Sequence, residues 1–261
     1  MSAVTGSQQL QRLLYLVVPF VVLLALWQLL TAAGIVDPFL ISSPTRVFPA
    51  LVDQVKSGEL TRALGTTALE FAVSFALASV VGVALGVLMG WYKPVEFALD
   101  PFVWLIYSAP VIAMYPVFLV LFGAGLPTIV AVSFFLTVSP IVVNTMRGVQ
   151  EVDPRLVRAA RSLMANDRQL FRYVAIPGAV PLIMAGLRIG VGRALTAVIV
   201  AEIFAGDGGL GYIASYYAGL QQTTDMLADV IVIAALGVAV TQLLRVLESR
   251  ADRWRVDSAR R

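Results

Sequence analysis

The sequence predicts an all-α, polytopic membrane protein, and three observations predict it. Of its 261 residues 59% are hydrophobic, only 13% are charged, and the apolar residues gather into long runs separated by short polar stretches. A soluble domain carries about 25% charged residues. A chain this size cannot hide so much apolar area inside itself, because surface falls too slowly with mass. With a mean hydropathy of +0.86, the solvent the composition demands is lipid.

There are no cysteines and no histidines. Disulfides, thiolate metal sites, haem held by imidazole and Ser-His-Asp catalysis are excluded by inventory, and no metal site is expected. The net charge of +3 and the pI near 9.4 leave two readings, a nucleic-acid partner or basic loops facing anionic headgroups. The arginines fall between the apolar runs, which selects the second. The first apolar run is too long for the core of a cleavable signal and lacks a small-residue cleavage site.

Six runs are long enough to cross a bilayer, each needing roughly 20 apolar residues at about 1.5 Å per residue. The predicted order is a cytoplasmic N-terminus over 1–12, a transmembrane domain over 13–250 and a basic cytoplasmic tail over 251–261. The spans are expected at 13–33, 63–90, 97–122, 126–146, 180–204 and 226–247. Gly82, Gly86 and Gly90 repeat every four residues in the second span, a spacing that lets helix backbones approach closely in lipid. Pro110 and Pro116 interrupt the third, so a re-entrant segment is the alternative there. With the N-terminus inside, fourteen Lys and Arg fall in inner segments and only Arg46, Lys56 and Arg62 outside, as the positive-inside rule requires.

The inner segment between the fourth and fifth spans carries a helical pattern of its own. From Pro154, the residues Leu156, Ala159, Ala160, Leu163 and Met164 recur at helical spacing, with Arg155, Arg158, Arg161 and Ser162 on the other side. Asp153 suits the cap and Pro154 the first helical position. A second short helix is expected after Asn166, with Gln169 at capping-box spacing, ending before Pro177. Two short amphipathic helices outside the membrane, over 153–176, make a knob; the alternative is a helix pair lying passively on headgroups.

The run RAARSLMANDRQLFRYVAIPGAVPLIMAGLRIGVGRALTAVIVAEIFAGDGGLGYI resembles the EAA-loop region of binding-protein-dependent ABC importer permeases of the type I fold. Within that family it is most similar to the branch serving sulfonates, taurine and nitrate. The family pattern runs Glu-Ala-Ala, a short spacer, Gly, a longer spacer, then Ile and Leu-Pro; Arg158, Ala159, Ala160, Met164 and Ile176-Pro177 occupy those places. ISSPTRVFPAL after the first span and VAEIFAGDGGLGYI after the fifth also resemble that branch. Two residues depart from the pattern, Arg158 for Glu and Met164 for Gly. A Gly would supply a left-handed turn at little steric cost, so Asn166 is expected to take that conformation in place of Met164. Arg158 implies either a partner surface altered to match or simply an exposed position.

The chain has no phosphate-binding loop: its lysines, Lys56 and Lys93, follow Val55 and Tyr92 and not a glycine-rich run. It is therefore expected not to be an enzyme, with no cofactor of its own; ATP and Mg would be bound by a partner ATPase. The resemblance implies two ATPase subunits, a second copy of the permease as a homodimer and an extracytoplasmic substrate-binding protein, all at a bacterial inner membrane with both termini cytoplasmic. ATPase coupling is assigned to Leu156, Arg158, Ala159, Ala160, Leu163, Met164, Ile176 and Pro177. Receptor docking is assigned to Gly206, Gly208, Gly209, Gly211 and Tyr212.

Polar groups in lipid tend to face a cavity or a partner helix, which makes Tyr107, Ser108, Tyr115, Ser133, Thr137, Ser139, Asn144, Arg193, Thr196 and Glu202 the candidates for a translocation path. Each Ser or Thr can instead bond to its own helix. Among the ionisable residues, Arg188 and Glu70 can pair structurally, or Arg193 can meet an anionic substrate. The expected solute is a small anion such as a sulfonate, taurine or nitrate, with a vitamin precursor or an aromatic acid as the alternative. A secondary transporter or channel is the rival class, but no relay of acids runs through the spans.

Overall fold

The computed structural model describes the backbone of residues 6–35, 37 and 40–258, and the side chains of residues 15, 18–35, 37 and 40–246. The arginine side chains of the predicted 251–261 tail, and the side chains of the predicted 1–12 segment, lie outside the described residues. Among those described the secondary structure is helical: α1 (Gly6–Ala32), α2 (Pro44–Lys56), α3 (Glu59–Trp91), α4 (Lys93–Ser108), a 3-10 turn (Val111–Met114), α5 (Tyr115–Phe122) and α6 (Leu126–Gln150). Then follow α7 (Pro154–Ser162), α8 (Asp167–Leu170), a π segment (Phe171–Ala175), α9 (Ile176–Ala205), α10 (Leu210–Gly219) and α11 (Thr223–Ser258).

Four helical stretches among the described residues are long and apolar enough to cross a membrane, 59–91, 126–150, 167–205 and 223–246, beside a shorter apolar helix, Val18–Ala32. The third predicted span is not one straight helix. Its two halves, Lys93–Ser108 and Val111–Phe122, meet at 86°, and together they make the fifth candidate span. The cause is Pro110, which has no N–H to donate and drives Ala109 into extended backbone (φ −65, ψ 140). Pro116 breaks nothing, because it sits in the first turn of α5, where its missing N–H has no helical partner to lose.

The chain forms two compact units. The first holds residues 1–61 and 213–231. Within it the Trp27 indole N–H donates to the Ser42 carbonyl (3.0 Å), the Thr224 hydroxyl to the Ser42 hydroxyl (2.8 Å) and the Tyr217 hydroxyl to Glu59 (2.9 Å). Burial, and after it the Glu59 carboxylate, hold the Tyr217 phenol above its ordinary range.

The second unit, residues 62–212 and 232–261, is built around α6. Val138, Ile141, Val142 and Met146 of α6 pack with Ala78 and Met89 of α3 and Val103 of α4. Towards the other end of α6, Ile129 and Val132 pack with Val111, Val198 and Ala201. The glycine stripe of α3 faces α6: a Cβ on Gly82, Gly86 or Gly90 would stand 2.8, 2.5 or 2.6 Å from Ile141, Thr145 or Val149. The sequence spacing thus marks a seam where only glycine fits. Leu77 and Val80 on α3 and Val120 on α5 are exposed, as suits a surface whose solvent is not water.

Candidate functional site

Asp153 caps α7 by accepting the Arg155 backbone N–H at 2.8 Å, and Pro154 opens the helix. The helix ends in a double turn: Met164 N–H donates to Arg161 O (2.9 Å) and Ala165 N–H to Ala160 O (3.1 Å). That pair of bonds requires a left-handed residue at Met164, whose φ is 61. The expectation that Asn166 takes this conformation is therefore corrected. Asn166 is extended (φ −78, ψ 169), because its side chain is engaged as the cap of α8, and it exchanges 2.9 Å bonds with Gln169 in a capping box. The turn is tied further by an ion pair between Arg161 and Asp167.

A second correction concerns Pro177. The helix that starts at Asp167 does not stop before it but runs on through the π segment into α9, as far as Ala205. A proline ring crowds the carbonyl four residues back, here that of Tyr173, and the wider π turn relieves this crowding. Leu170 and Ala175 are buried on the inner side of this stretch, and the rings of Phe171 and Trp91 meet edge to face at 4.9 Å. What remains outward is the tip: Leu156, Leu163 and Met164 are 55%, 84% and 93% exposed. Arg158 and Ala159 are exposed as well, Ala160 and Ile176 half-buried, and Pro177 exposed. Leu163 and Met164 therefore project at the apex with nothing among the described residues over them.

At the far end of α9, Glu202 organises the glycine loop. It is fully buried, accepting the Thr67 hydroxyl at 2.6 Å and the Gly211 backbone N–H at 2.6 Å. Thr67 in turn accepts the Leu210 N–H at 2.9 Å. Glu70, for which a pair with Arg188 was one expectation, is buried on α3, with its carboxyl group beside that of Glu202. Gly209 has φ +91, and a Cβ on it would overlap the Glu202 carboxyl group. The loop is thus shaped around an acid: Gly209 and Gly211 are buried, Gly206 and Gly208 half-buried, and Asp207 and Tyr212 exposed. Thr67 was not singled out from the sequence. The available signal was a second polar residue three positions before Glu70, on the same face of an apolar helix.

The ten path candidates do not gather at one place. Ser133, Thr137, Ser139 and Glu202 lie in the packed interior of the unit, with the Ser133 hydroxyl bonded to Ala194 O at 3.3 Å. Asn144 is half-buried and donates to Pro140 O at 2.8 Å. Tyr115 ties α5 to the end of α9 by donating to Phe204 O at 2.6 Å. Ser108 and Thr196 are exposed and bonded back to their own helices, at Trp104 O (2.8 Å) and Gly192 O (3.0 Å). Arg193 is brought over the ring of Tyr107, 5.0 Å from its centroid. Tyr107, Arg193 and Thr196 thus gather on one accessible face.

Comparison with known proteins agrees with this architecture. The family described as the binding-protein-dependent transport system inner membrane component matches residues 78–253. A protein of Bacillus subtilis (strain 168), named as an aliphatic sulfonates transport permease, is 29% identical over 238 residues, covering 90% of this chain and 85% of that one. The nitrate import permease protein of Synechocystis sp. (strain ATCC 27184 / PCC 6803 / Kazusa) is 30% identical over 238 residues, with 89% and 86% covered. Among solved structures, an inward-facing MetNI methionine ABC transporter superposes with a TM-score of 0.63 at 21% identity, covering 73% of this chain and 95% of that chain.

Proposed function

The chain belongs to the family of inner membrane components of binding-protein-dependent transport systems, and from that premise we propose that it forms the solute path of an ATP-driven importer and receives its power through the knob of α7 and α8. It is a permease of the ABC-importer type, and the ATPase is a separate chain. The observation that carries the coupling role is the bare apolar apex, Leu156, Leu163 and Met164, on a turn held by two caps and an ion pair. A rigid, uncovered apolar tip beside Arg155, Arg158 and Arg161 suits insertion into a groove on a nucleotide-binding subunit. Ala159, Ala160, Ile176 and Pro177 flank that tip and set its spacing from α9.

Two permease copies, two ATPases and an extracytoplasmic receptor make up the working assembly in this reading, and ATP with Mg is bound by the ATPases. Closure of the ATPases moves the knobs and exchanges inward and outward openings as a rigid-body switch. The knob and both termini face the cytoplasm, and the loop around Gly206, Gly208, Gly209, Gly211 and Tyr212 meets the receptor outside. The path runs along the face bearing Tyr107, Ser108, Arg193 and Thr196, with Tyr115 at its outer margin. Its solute is a small anion of the sulfonate, taurine or nitrate kind. The test is ATP-dependent uptake in vesicles with Ala159→Asp: at normal membrane levels, uptake is lost while ATP hydrolysis continues uncoupled. Uptake at the wild-type rate with Asp at 159 removes the docking reading.

A further inference from the structure

We propose that Arg193, steadied by the ring of Tyr107, is the charge-selecting group of the translocation path, and that the solute it passes is a small oxyanion. The inference rests on the transport reading above and adds to it the residue that recognises the solute. Arg193 falls near the middle of the apolar run 180–204, where a charge is costly unless it meets water, a counter-ion or a cavity. Neither ion pair among the described residues includes it. Its recorded partner is an aromatic face, with the guanidinium carbon 5.0 Å from the Tyr107 centroid.

The acid of the same helix is turned away. Glu202 lies nine positions on, which at about 100° per residue puts it half a turn round α9, and it is already held by Thr67 and Gly211. Arg193 instead looks into a hollow of about 210 Å³ whose walls are Ile112, Leu136 and Ala197, with Thr196 at the edge. A second hollow, of about 430 Å³, shares Gly192 and Thr196 with the first and adds Thr241 and Gln242. Arg193 is thus the one charged group among the described residues lining a small, mostly apolar recess, and a larger recess shares two of its lining residues.

The chemistry of the ligand follows. An aromatic partner offers the guanidinium no oxygen acceptor, so the N–H groups of its planar fork are left for a ligand. The fork matches two oxygens of a sulfonate, a nitrate or a carboxylate in bidentate fashion. An uncharged solute finds apolar walls and one hydroxyl, and gains little. Tyr107 is a positioning residue here: it touches the guanidinium and sets where the fork points.

The experiment uses vesicles holding the complete importer and measures ATP-dependent uptake of ethanesulfonate, methanesulfonate and nitrate beside uncharged cytosine. Wild type is expected to take up at least one of the anions and no cytosine. Arg193→Gln lowers anion uptake roughly ten- to a hundredfold, the loss of one charge-assisted bidentate contact, and Arg193→Lys restores part of it. Tyr107→Leu lowers anion uptake roughly three- to tenfold, and Tyr107→Phe, which restores the ring, recovers part of that loss. Anion uptake at the wild-type rate in Arg193→Gln overturns the inference, as does a wild type that carries cytosine and no anion; both results leave ATP-driven transport standing. Uptake of none of the four by wild type removes the transport reading and this inference with it. Should Arg193→Gln fail to reach the membrane, Arg193→Cys gives a second measurement, since the natural chain has no cysteine. That sole thiol is expected to react with anionic 2-sulfonatoethyl methanethiosulfonate in vesicles, and a thiol inert both with and without ATP overturns the inference.

Discussion

Glu202 and Thr67, 135 residues apart in the chain, meet as acceptor and donor at 2.6 Å inside the second unit. The bond joins α3 to the far end of α9, and the other Glu202 oxygen holds the Gly211 N–H. Replacing Glu202 with Ala leaves a buried hydroxyl and a buried backbone N–H without their acceptor. The expected loss is about 2–4 kcal/mol, seen as a lower Tm of the purified protein and as protease sensitivity at 206–211. An unchanged Tm would show that the loop is held by something else.

Gly209 supplies a second test of the same latch. Its φ of +91 and the overlap of an added Cβ with the Glu202 carboxyl group make Gly209→Ala costly on two counts. Only the steric part depends on Glu202. Gly209→Ala combined with Glu202→Ala should therefore lose less than the sum of the single changes, leaving about 1 kcal/mol for the left-handed backbone. Additive losses in a thermal-unfolding cycle would contradict this geometry.

Met164 sits at φ 61 with its side chain 93% exposed, so it strains the backbone without packing in return. Met164→Gly is expected to stabilise the α7–α8 turn by about 1 kcal/mol, read as slower amide exchange at Ala165. Met164→Ile should do the reverse, because a β-branched side chain is worse in that region. In vesicles the glycine variant separates backbone from contact: if the apolar tip meets the ATPase, coupling weakens even as the turn is stabilised.

Gly86 lies at the tightest point of the α3–α6 seam, where an added Cβ would stand 2.5 Å from Thr145 and 2.7 Å from the Val142 carbonyl. The backbone carbonyl cannot swing aside as a side chain can. Gly86→Ala is expected to cost about 1–3 kcal/mol and Gly86→Leu to abolish stable accumulation in the membrane, measured by immunoblot and Tm. A tolerated Leu would mean that α3 and α6 do not meet as described. Gly65, inside α3 with open space around it, is the control: Gly65→Ala should leave accumulation unchanged and should not lower the Tm.

What the sequence discloses is what short-range chemistry decides. The four-residue glycine spacing, the Asp153 cap and the Asn166–Gln169 box each depend on neighbours within a turn or two, and each stands as expected. Pro110 likewise breaks its helix for a local reason. Met164 was misassigned because intrinsic preference argues against a left-handed Met, while the two bonds closing α7 require that conformation whichever residue sits there. Pro177 does not end the helix because the π turn before it relieves the crowding that its ring imposes on the carbonyl four residues back. The Glu202 latch needs Thr67 and Glu70 of α3 to meet the far end of α9 across 135 and 132 positions of chain, and no local spacing announces which elements meet. The Arg193–Tyr107 contact is of the same long-range kind, though both residues were legible as polar groups within apolar runs.

The unbroken helix from Asp167 to Ala205 has one more consequence. Its 39 residues span about 58 Å at about 1.5 Å each, with the apolar apex just ahead of one end and the glycine loop leading off the other. A shaft of that length works as a long moment arm: pivoting it by about 10° about one end sweeps the opposite end through about 10 Å. A displacement too slight to break any hydrogen bond on one side is thereby geared up into an ångström-scale stroke on the other, with the π turn at residues 171–175 and Pro181 as the points where the shaft can bend.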